Sequence, residues 1–246
     1  MKNILYTTIF MLMLVCTISA QTDTVFYNAN SDTVKSLRLA TTYEIISRSG
    51  AAPSEELKEK YTKAGQKIAE DHYYINGKKK ERIGQSRRWY DDGKIKSLIA
   101  YSDDKMNGGC KTYWENGQLK RNDAYEDGKF RTGNCYTAKG ADTIHYDYEI
   151  TPEFKGGASE MMKYLQKNIK ISEKSKEDYV HGKTYIKFTI NEDGSISDVS
   201  ILKGSGEKEF DNEVIRVVKE MPKWNPGKQD GIPVKVHFMI PIFIRL

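Results

Sequence analysis

The chain has 246 residues, of which 30% are charged, 38% hydrophobic and 11% aromatic, and its mean hydropathy is −0.66. Only one long apolar run occurs, which excludes a multi-span membrane protein, and the aromatic content argues against a mainly disordered chain. Thirty-nine Lys and Arg against 34 Asp and Glu give a formal charge of +5, too small an imbalance to indicate a nucleic-acid-binding protein.

The first twenty residues predict an export signal. Lys2 precedes an apolar run from Ile4 to Ile18, and the small residues Ser19 and Ala20 lead directly into polar sequence. The run is about 15 residues long, shorter than the ~20 of a spanning helix and typical of a signal-peptide core. We expect residues 1–20 to be a signal peptide that is cleaved after Ala20, with an uncleaved inner-membrane anchor as the alternative. Both place the remaining chain in the periplasm or cell envelope, and membrane contact is expected only through residues 1–20 if they are retained.

Residues 21–75 form a lead-in segment with a mixed pattern. The run from Thr42 to Arg48 predicts a strand. Apolar residues at helical spacing between Ser54 and Gly65 predict a short helix. The run from Gln66 to Ile75 is expected to be extended.

Residues 76–148 repeat themselves. The run from Trp89 to Lys96 aligns with the run from Tyr113 to Lys120, 24 residues later, and a weaker copy follows. Asp-Gly and Asn-Gly pairs fill turn positions that need positive φ, and the flanking runs are rich in aromatic residues. We predict all-β repeat hairpins that stack into an elongated sheet, because one hairpin alone is too small to bury a core.

This repeat is similar to the MORN-type repeat in its YwqK-like variant. The shared pattern is two aromatic residues, x-Asn-Gly-x-Leu-Lys, and then Tyr-x-Asp-Gly-Lys. The resemblance implies a scaffold or an interaction surface.

Cys110 and Cys135 occupy equivalent places in successive copies, each two residues after a glycine. Equivalent positions on stacked hairpins can be close in space. In an oxidising compartment the two cysteines therefore either form a disulfide or remain as buried reduced thiols.

The C-terminal part, residues 150–246, has the pattern of an α+β domain. Helical spacing and alternation predict the order αββαβ, a two-layer domain with one three-stranded antiparallel sheet. The predicted elements are a helix at 158–168, strands at 182–190 and 195–202, a helix at 210–221, and a last strand from Ile232 to Leu246.

The last predicted strand carries the marks of a sheet edge. Pro233, Lys235 and Pro241 are residues that protect an exposed edge from unwanted pairing. An edge of this kind can also accept an incoming peptide as an additional strand.

Residues 151–246 resemble the TonB C-terminal domain of Bacteroidetes-type chains. The motifs that carry the resemblance are Pro-Glu-Phe-x-Gly-Gly at 152–157, Asp-Gly-Ser-Ile-x-Asp-Val at 193–199 and Met-Pro-x-Trp-x-Pro-Gly at 221–227. The resemblance implies a binding protein and not an enzyme, without a cofactor.

The implied partner is the N-terminal box of an outer-membrane TonB-dependent receptor, bound by strand addition to the last strand. In that family the domain passes on work from inner-membrane proton-motive motor proteins and so supports nutrient transport. The implied partner-binding residues are Val234, Lys235, Val236, His237, Phe238 and Met239, with the turn residues Gln229, Asp230 and Gly231 helping to position them.

A second function stays open. The chain has no Pro-rich spacer with which to span the periplasm, so a periplasmic or envelope scaffold that binds partners without bearing force is the alternative.

Two other classes of site are set aside. The four histidines share no ligand spacing with Cys or acidic residues, so no metal site is predicted. No hydrolase, P-loop or dinucleotide-binding signature occurs, and no nucleic-acid partner is expected.

Overall fold

The computed structural model of the chain describes residues 21–50, 54–170 and 181–245. The predicted signal peptide lies outside these ranges. The chain divides into two compact units, Met1–His145 and Tyr146–Leu246. Within the described ranges, no helix combines the length and the apolar character that crossing a bilayer requires.

The first unit is one antiparallel sheet of eleven strands, and the predicted all-β hairpins are confirmed. The strands pair in chain order from β3 to β11, while β1 pairs with both β2 and β3. The strands are β1 (Gln21–Tyr27), β2 (Thr33–Val34), β3 (Thr42–Arg48), β4 (Ser54–Thr62), β5 (Lys67–Asn76), β6 (Lys79–Trp89), β7 (Ile95–Ser102), β8 (Lys105–Tyr113), β9 (Leu119–Glu126), β10 (Lys129–Tyr136) and β11 (Asp142–Thr143), with a 3-10 helix at Leu37–Leu39.

The repeat is visible in the turns at one end of the hairpins. In the turn after β6, the Tyr90 N–H donates to Lys94 O and the Gly93 N–H donates to Tyr90 O, both at 2.9 Å. The same two hydrogen bonds recur in the turns at 114–118 and 137–141. Gly93 has φ +83°, which explains the glycine at this point of the repeat.

Aromatic side chains connect successive copies. The Tyr90 hydroxyl donates to Tyr113 O at 2.6 Å, and Trp114 Nε1 donates to Tyr136 O at 3.0 Å. Lys96 lies over the Tyr90 ring, as Lys120 lies over the Trp114 ring. The second aromatic residue of each turn motif, Tyr90 or Trp114, therefore holds one hairpin on the backbone of the next.

The predicted short helix between Ser54 and Gly65 is wrong, because this segment contains β4. Its side chains are matched across the sheet: Glu56 is buried in an ion pair with Arg48 at 2.8 Å, and the Tyr61 ring stacks on Tyr43 with centroids 5.2 Å apart. The turn at 62–66 has the same hydrogen bonds as the repeat turns. The lead-in segment is thus continuous with the repeats, and cross-strand pairing overrides the local helical spacing.

The structure does not bring Cys110 and Cys135 together. Both side chains are buried, and no disulfide joins them. They lie on β8 and β10, which flank β9 on opposite sides. Two strand spacings separate their backbones by about 10 Å, beyond the ~7 Å that a disulfide tolerates. Equivalent positions in a hairpin repeat are always two strands apart, which is why their sequence equivalence does not predict a bond.

The second unit is the predicted two-layer α+β domain. Its main sheet is antiparallel with the order β14-β13-β17, and a second small sheet has the order β12-β15-β16. Its elements are β12 (Glu149–Ile150), α1 (Gly157–Asn168), β13 (His181–Ile190), β14 (Ile196–Lys203), α2 (Lys208–Lys219), β15 (Lys228–Gln229), β16 (Ile232–Pro233) and β17 (Val236–Arg245).

The last strand begins later than its sequence pattern predicts. Ile232 and Pro233 form β16 in the small sheet, and the Val234 N–H then donates to Gly227 O at 2.9 Å. This bond turns the chain before β17 starts at Val236. Apolar alternation continues through the turn, so the pattern alone does not mark the break.

An aromatic cluster forms the centre of the second unit. Trp224 is 3% exposed and its ring lies 5.6 Å from Phe154, 5.8 Å from Phe188 and 5.3 Å from Phe238 between centroids. Its backbone N–H donates to Gly194 O at 2.9 Å. Gly194 has φ +79° and no room for a Cβ against Trp224 O. The Met-Pro-x-Trp-x-Pro-Gly motif is therefore a packing motif that ties the β13–β14 turn to the core.

Candidate partner-binding edge

Strand β17 lies at one edge of the main sheet of the second unit. It pairs with β13 along its whole length, from Ile190 opposite Val236 to His181 opposite Arg245. Within the described residues, no strand pairs with its other side. One row of backbone N–H and C=O groups of β17 therefore faces outward, as it does in any edge strand.

Alternate side chains of β17 have opposite environments. Ile240 and Ile242 are buried in the core between the sheet and the helices. Met239 and Phe243, on the opposite face, are 53% and 57% exposed. The inner row fixes the register of β17 on β13, because a slip of one residue would expose the whole apolar row. The buried side chains thus hold β17 in place, while the side chains on its opposite face stay accessible.

The outer face of the sheet is both aromatic and basic. Lys183 on β13 lies 4.4 Å from the centroid of the Tyr185 ring and 4.8 Å from that of Phe243. Lys187 stands opposite Met239 in the pairing of β13 with β17 and is exposed. Apolar surface alternating with positive charge suits a peptide that carries apolar and acidic side chains.

A polar cluster lies at the beginning of β17. The Thr189 hydroxyl and His237 Nδ1 are 3.1 Å apart, and the Ser197 hydroxyl donates to Asp198 at 2.9 Å. Hydrogen bonds from Ser197 and Thr189 lower the pKa of Asp198, and the nearby His237 and Lys235 act in the same direction. Asp198 is therefore kept ionised, but it lies on β14, on the other side of β13 from the β17 edge.

Four of the six residues predicted on the last strand, Val236 to Met239, lie in β17. Val234 and Lys235 lie in the connection from β16 to β17 and not in the strand. The turn residues lie in the small sheet: Asp230 and Gly231 connect β15 to β16, and Gln229 pairs with Glu149 and Ile232. The Asp230 N–H donates to Tyr148 O at 2.6 Å. The predicted turn is thus fixed on the small sheet and is not part of the β17 edge.

The free edge extends beyond the predicted site. Pro241 and Phe243 continue the outer row, and Tyr185 adds to the same face from β13. The sequence signal for this extension is the unbroken apolar run from Ile240 to Ile244, which marks a strand too long to end at Met239.

The segment that follows α1 is attached to α2. Arg216 donates to Asn168 O at 3.1 Å and to Glu213 at 2.7 and 2.9 Å. The Lys170 N–H also donates to Glu213, at 2.9 Å. The hydrogen bonds from Arg216, followed by that from Lys170, lower the pKa of Glu213 to about 2. The chain is therefore anchored at residues 168–170, and 171–180 lie outside the described residues.

The fold and the edge together define a class of protein: a small two-layer domain with an accessible edge strand. The family model described as Gram-negative bacterial TonB protein C-terminal matches residues 168–243. This match covers β13, β14, α2, β15, β16 and most of β17, so this part of the chain is similar to a TonB C-terminal domain.

Two further comparisons complete this result. The solution structure of the Helicobacter pylori TonB C-terminal domain is similar with 20% identity over 36% of this chain and 78% of that chain, with a TM-score of 0.29. A similarity at this level adds nothing to the family match. No curated protein matches the chain significantly. The MORN-type identity of the hairpins stays a prediction.

Proposed function

We propose that this chain is a periplasmic TonB-family protein that couples to outer-membrane TonB-dependent receptors by adding the receptor's box peptide as a strand to β17. The observation that carries the proposal is the outward-facing side of β17, which no strand covers among the described residues. The family match over residues 168–243 supplies the class of partner.

Pro241 indicates which backbone groups of β17 are available. Proline has no N–H, and edge strands tolerate it where its nitrogen faces away from the neighbouring strand. Pro241 pairs with Tyr185 in the middle of the β13–β17 ladder. In antiparallel pairs, alternate residues direct their hydrogen-bonding groups to the same side. The N–H groups of His237, Met239 and Phe243 therefore face the guest strand, while those of the even-numbered residues hold β17 on β13.

The guest strand would gain affinity from its backbone and specificity from its side chains. His237, Met239 and Phe243 supply donors and acceptors along about 20 Å of edge. Their side chains, with those of Lys183 and Lys187, form the surface over which guest side chains lie. A pulling force on the guest strand would be transmitted from β17 to β13 through the ten residue pairs that join these two strands. Strand addition requires no covalent bond to form or break.

Met239→Pro is expected to weaken binding of a synthetic receptor-box peptide by about tenfold or more, because one donor is lost and a guest carbonyl is left without a partner. Since the Met239 N–H faces away from β13, the domain should stay folded. Isothermal titration calorimetry on the purified chain measures the affinity, and the control Met239→Thr keeps the N–H. Wild-type affinity in the folded Met239→Pro variant would remove β17 from the mechanism.

A non-force-bearing envelope scaffold is the second candidate. The feature that favours it is the eleven-stranded sheet, which precedes the TonB-type domain where a transducer would have an extended spacer. Both candidates use the β17 edge. They differ in whether residues 1–20 stay attached as an anchor, which N-terminal sequencing of the protein from cell envelopes determines, and in co-purification with motor proteins.

A further inference from the structure

Three potential metal ligands meet in the last hairpin of the first unit. A carboxylate oxygen of Asp123, Sγ of Cys135 and a ring nitrogen of His145 all lie within 4.8 Å of one another. Asp123 comes from β9, Cys135 from β10, and His145 follows β11. Cross-strand pairing brings them together, so no local spacing in the sequence reveals them. We propose that Asp123, Cys135 and His145 bind a Zn²⁺-type divalent cation.

The donor set suits this class of metal. Thiolate, imidazole and carboxylate are the ligands that Zn²⁺ uses in proteins, whereas calcium and magnesium prefer oxygen alone. His145 Nε2 lies 3.2 Å from each oxygen of Asp123. Two ligand atoms bound to one tetrahedral ion at about 2.0–2.1 Å lie about 3.3 Å apart. The imidazole and the carboxylate are therefore already spaced for a shared ion.

Positive charge already lies beside the two groups, because Arg121 Nη1 is 3.4 Å from His145 Nε2 and donates to Asp123. A lone pair on Nε2 also faces the two carboxylate oxygens, and this is a position that a proton or a metal cation can occupy. A proton on Nε2 is the competitor of the metal, so the two bind in exchange for each other.

The surroundings hold these ligands in place. Arg121, which is fully buried, donates to Asp123 Oδ2 at 2.5 Å and so orients the carboxylate, and the same Nη1 atom lies 3.4 Å from His145 Nε2. Gly133 lies directly under the Asp123 side chain, where a Cβ would collide with the carboxylate. The Phe130 ring contacts the His145 ring, with centroids 4.4 Å apart.

The site is accessible on one side only. The side chain of Asp123 is buried and Cys135 is 1% exposed, whereas the side chain of His145 is 26% exposed. An ion can therefore enter past His145, and water can complete its coordination. Because His145 is the last residue of the first unit, bound metal would fasten the end of that unit to the β9–β10 hairpin.

Cobalt titration of the tag-free, chelator-stripped, reduced chain tests the proposal. We expect one equivalent of Co²⁺ to give a near-ultraviolet thiolate-to-cobalt charge-transfer band, which Zn²⁺ then abolishes. Cys135→Ser should lose the band, and the matched control Cys110→Ser, on β8 and outside the cluster, should keep it. His145→Gln should weaken binding by at least about tenfold. No band with the wild-type chain, or an undiminished band in Cys135→Ser, would overturn the site.

A thermal measurement covers the case in which Cys135→Ser does not fold. Zn²⁺ should raise the Tm of the wild-type chain and of Cys110→Ser, because it binds only the folded site. It should not raise the Tm of His145→Gln, whose substitution lies at the accessible side of the site. An unchanged wild-type Tm at saturating Zn²⁺ would show that His145 and Asp123 share only a proton. This outcome is independent of peptide binding at β17.

Discussion

Trp224→Ala is expected to destabilise the second unit by about 3–5 kcal/mol, the usual cost of removing a large aromatic side chain from a core. Trp224 contacts three other aromatic rings and is almost completely buried. Its backbone also holds the turn at Gly194, so a collapse of the cavity would disturb the β13–β14 hairpin as well. A typical domain has a total stability of about 5–15 kcal/mol, so this loss removes a large share of it.

Urea unfolding monitored by amide hydrogen exchange in β13 measures this loss. Exchange in β13 reports on the second unit alone, because this strand belongs to that unit. Trp224→Phe is the informative companion. The buried Nε1 of Trp224 has no hydrogen-bond partner within the described part of the protein, so Phe removes an unsatisfied donor while keeping part of the ring contacts. We expect Trp224→Phe to cost clearly less than Trp224→Ala. Equal costs would mean that ring packing is not what Trp224 contributes.

Arg121→Met is expected to destabilise the first unit by about 3–5 kcal/mol, because it leaves the buried carboxylate of Asp123 without its charged partner. Both side chains are fully buried and joined at 2.5 Å. Replacing both members, in Arg121→Met/Asp123→Leu, removes the unpaired charge and should recover most of the loss. Each charge therefore offsets the cost of burying the other, and the pair adds little net stability.

An exposed ion pair provides the control for this prediction. Arg131 and Glu126 are also 2.5 Å apart, but both side chains are more than half exposed. Arg131→Met should change the free energy of unfolding by less than about 1 kcal/mol. Urea unfolding in metal-free buffer, monitored by amide hydrogen exchange along β9, compares the three variants in the first unit alone. A double variant as unstable as Arg121→Met would refute the account of mutual compensation.

Periodicity predicts the second unit well because its helices and strands each have one buried face. The apolar positions of α2, from Phe210 to Val218, are the positions that the core buries. The beginning of β17 is predicted less well, since Val234 keeps the apolar alternation while its N–H bonds to Gly227. A side-chain pattern does not record where a backbone turns.

The first unit shows a different limit. In β4 most residues are half-buried and mark no single buried face, because charged and aromatic side chains of the flanking strands β3 and β5 lie beside them. Its helical spacing is therefore accidental. The cluster of Asp123, Cys135 and His145 depends on which strands become neighbours, and so does the separation of the two cysteines. Both features follow from the order of the strands in the sheet, which the sequence pattern alone does not predict.

Amide hydrogen exchange along β17, with and without the receptor-box peptide, tests the strand-addition account most directly. The account predicts that the peptide slows exchange at His237, Met239 and Phe243, whose N–H groups would become hydrogen-bonded to the guest. The even-numbered neighbours, already bonded to β13, should change little. Peptide binding that leaves these three amides unprotected, while protecting residues elsewhere in the chain, would contradict it.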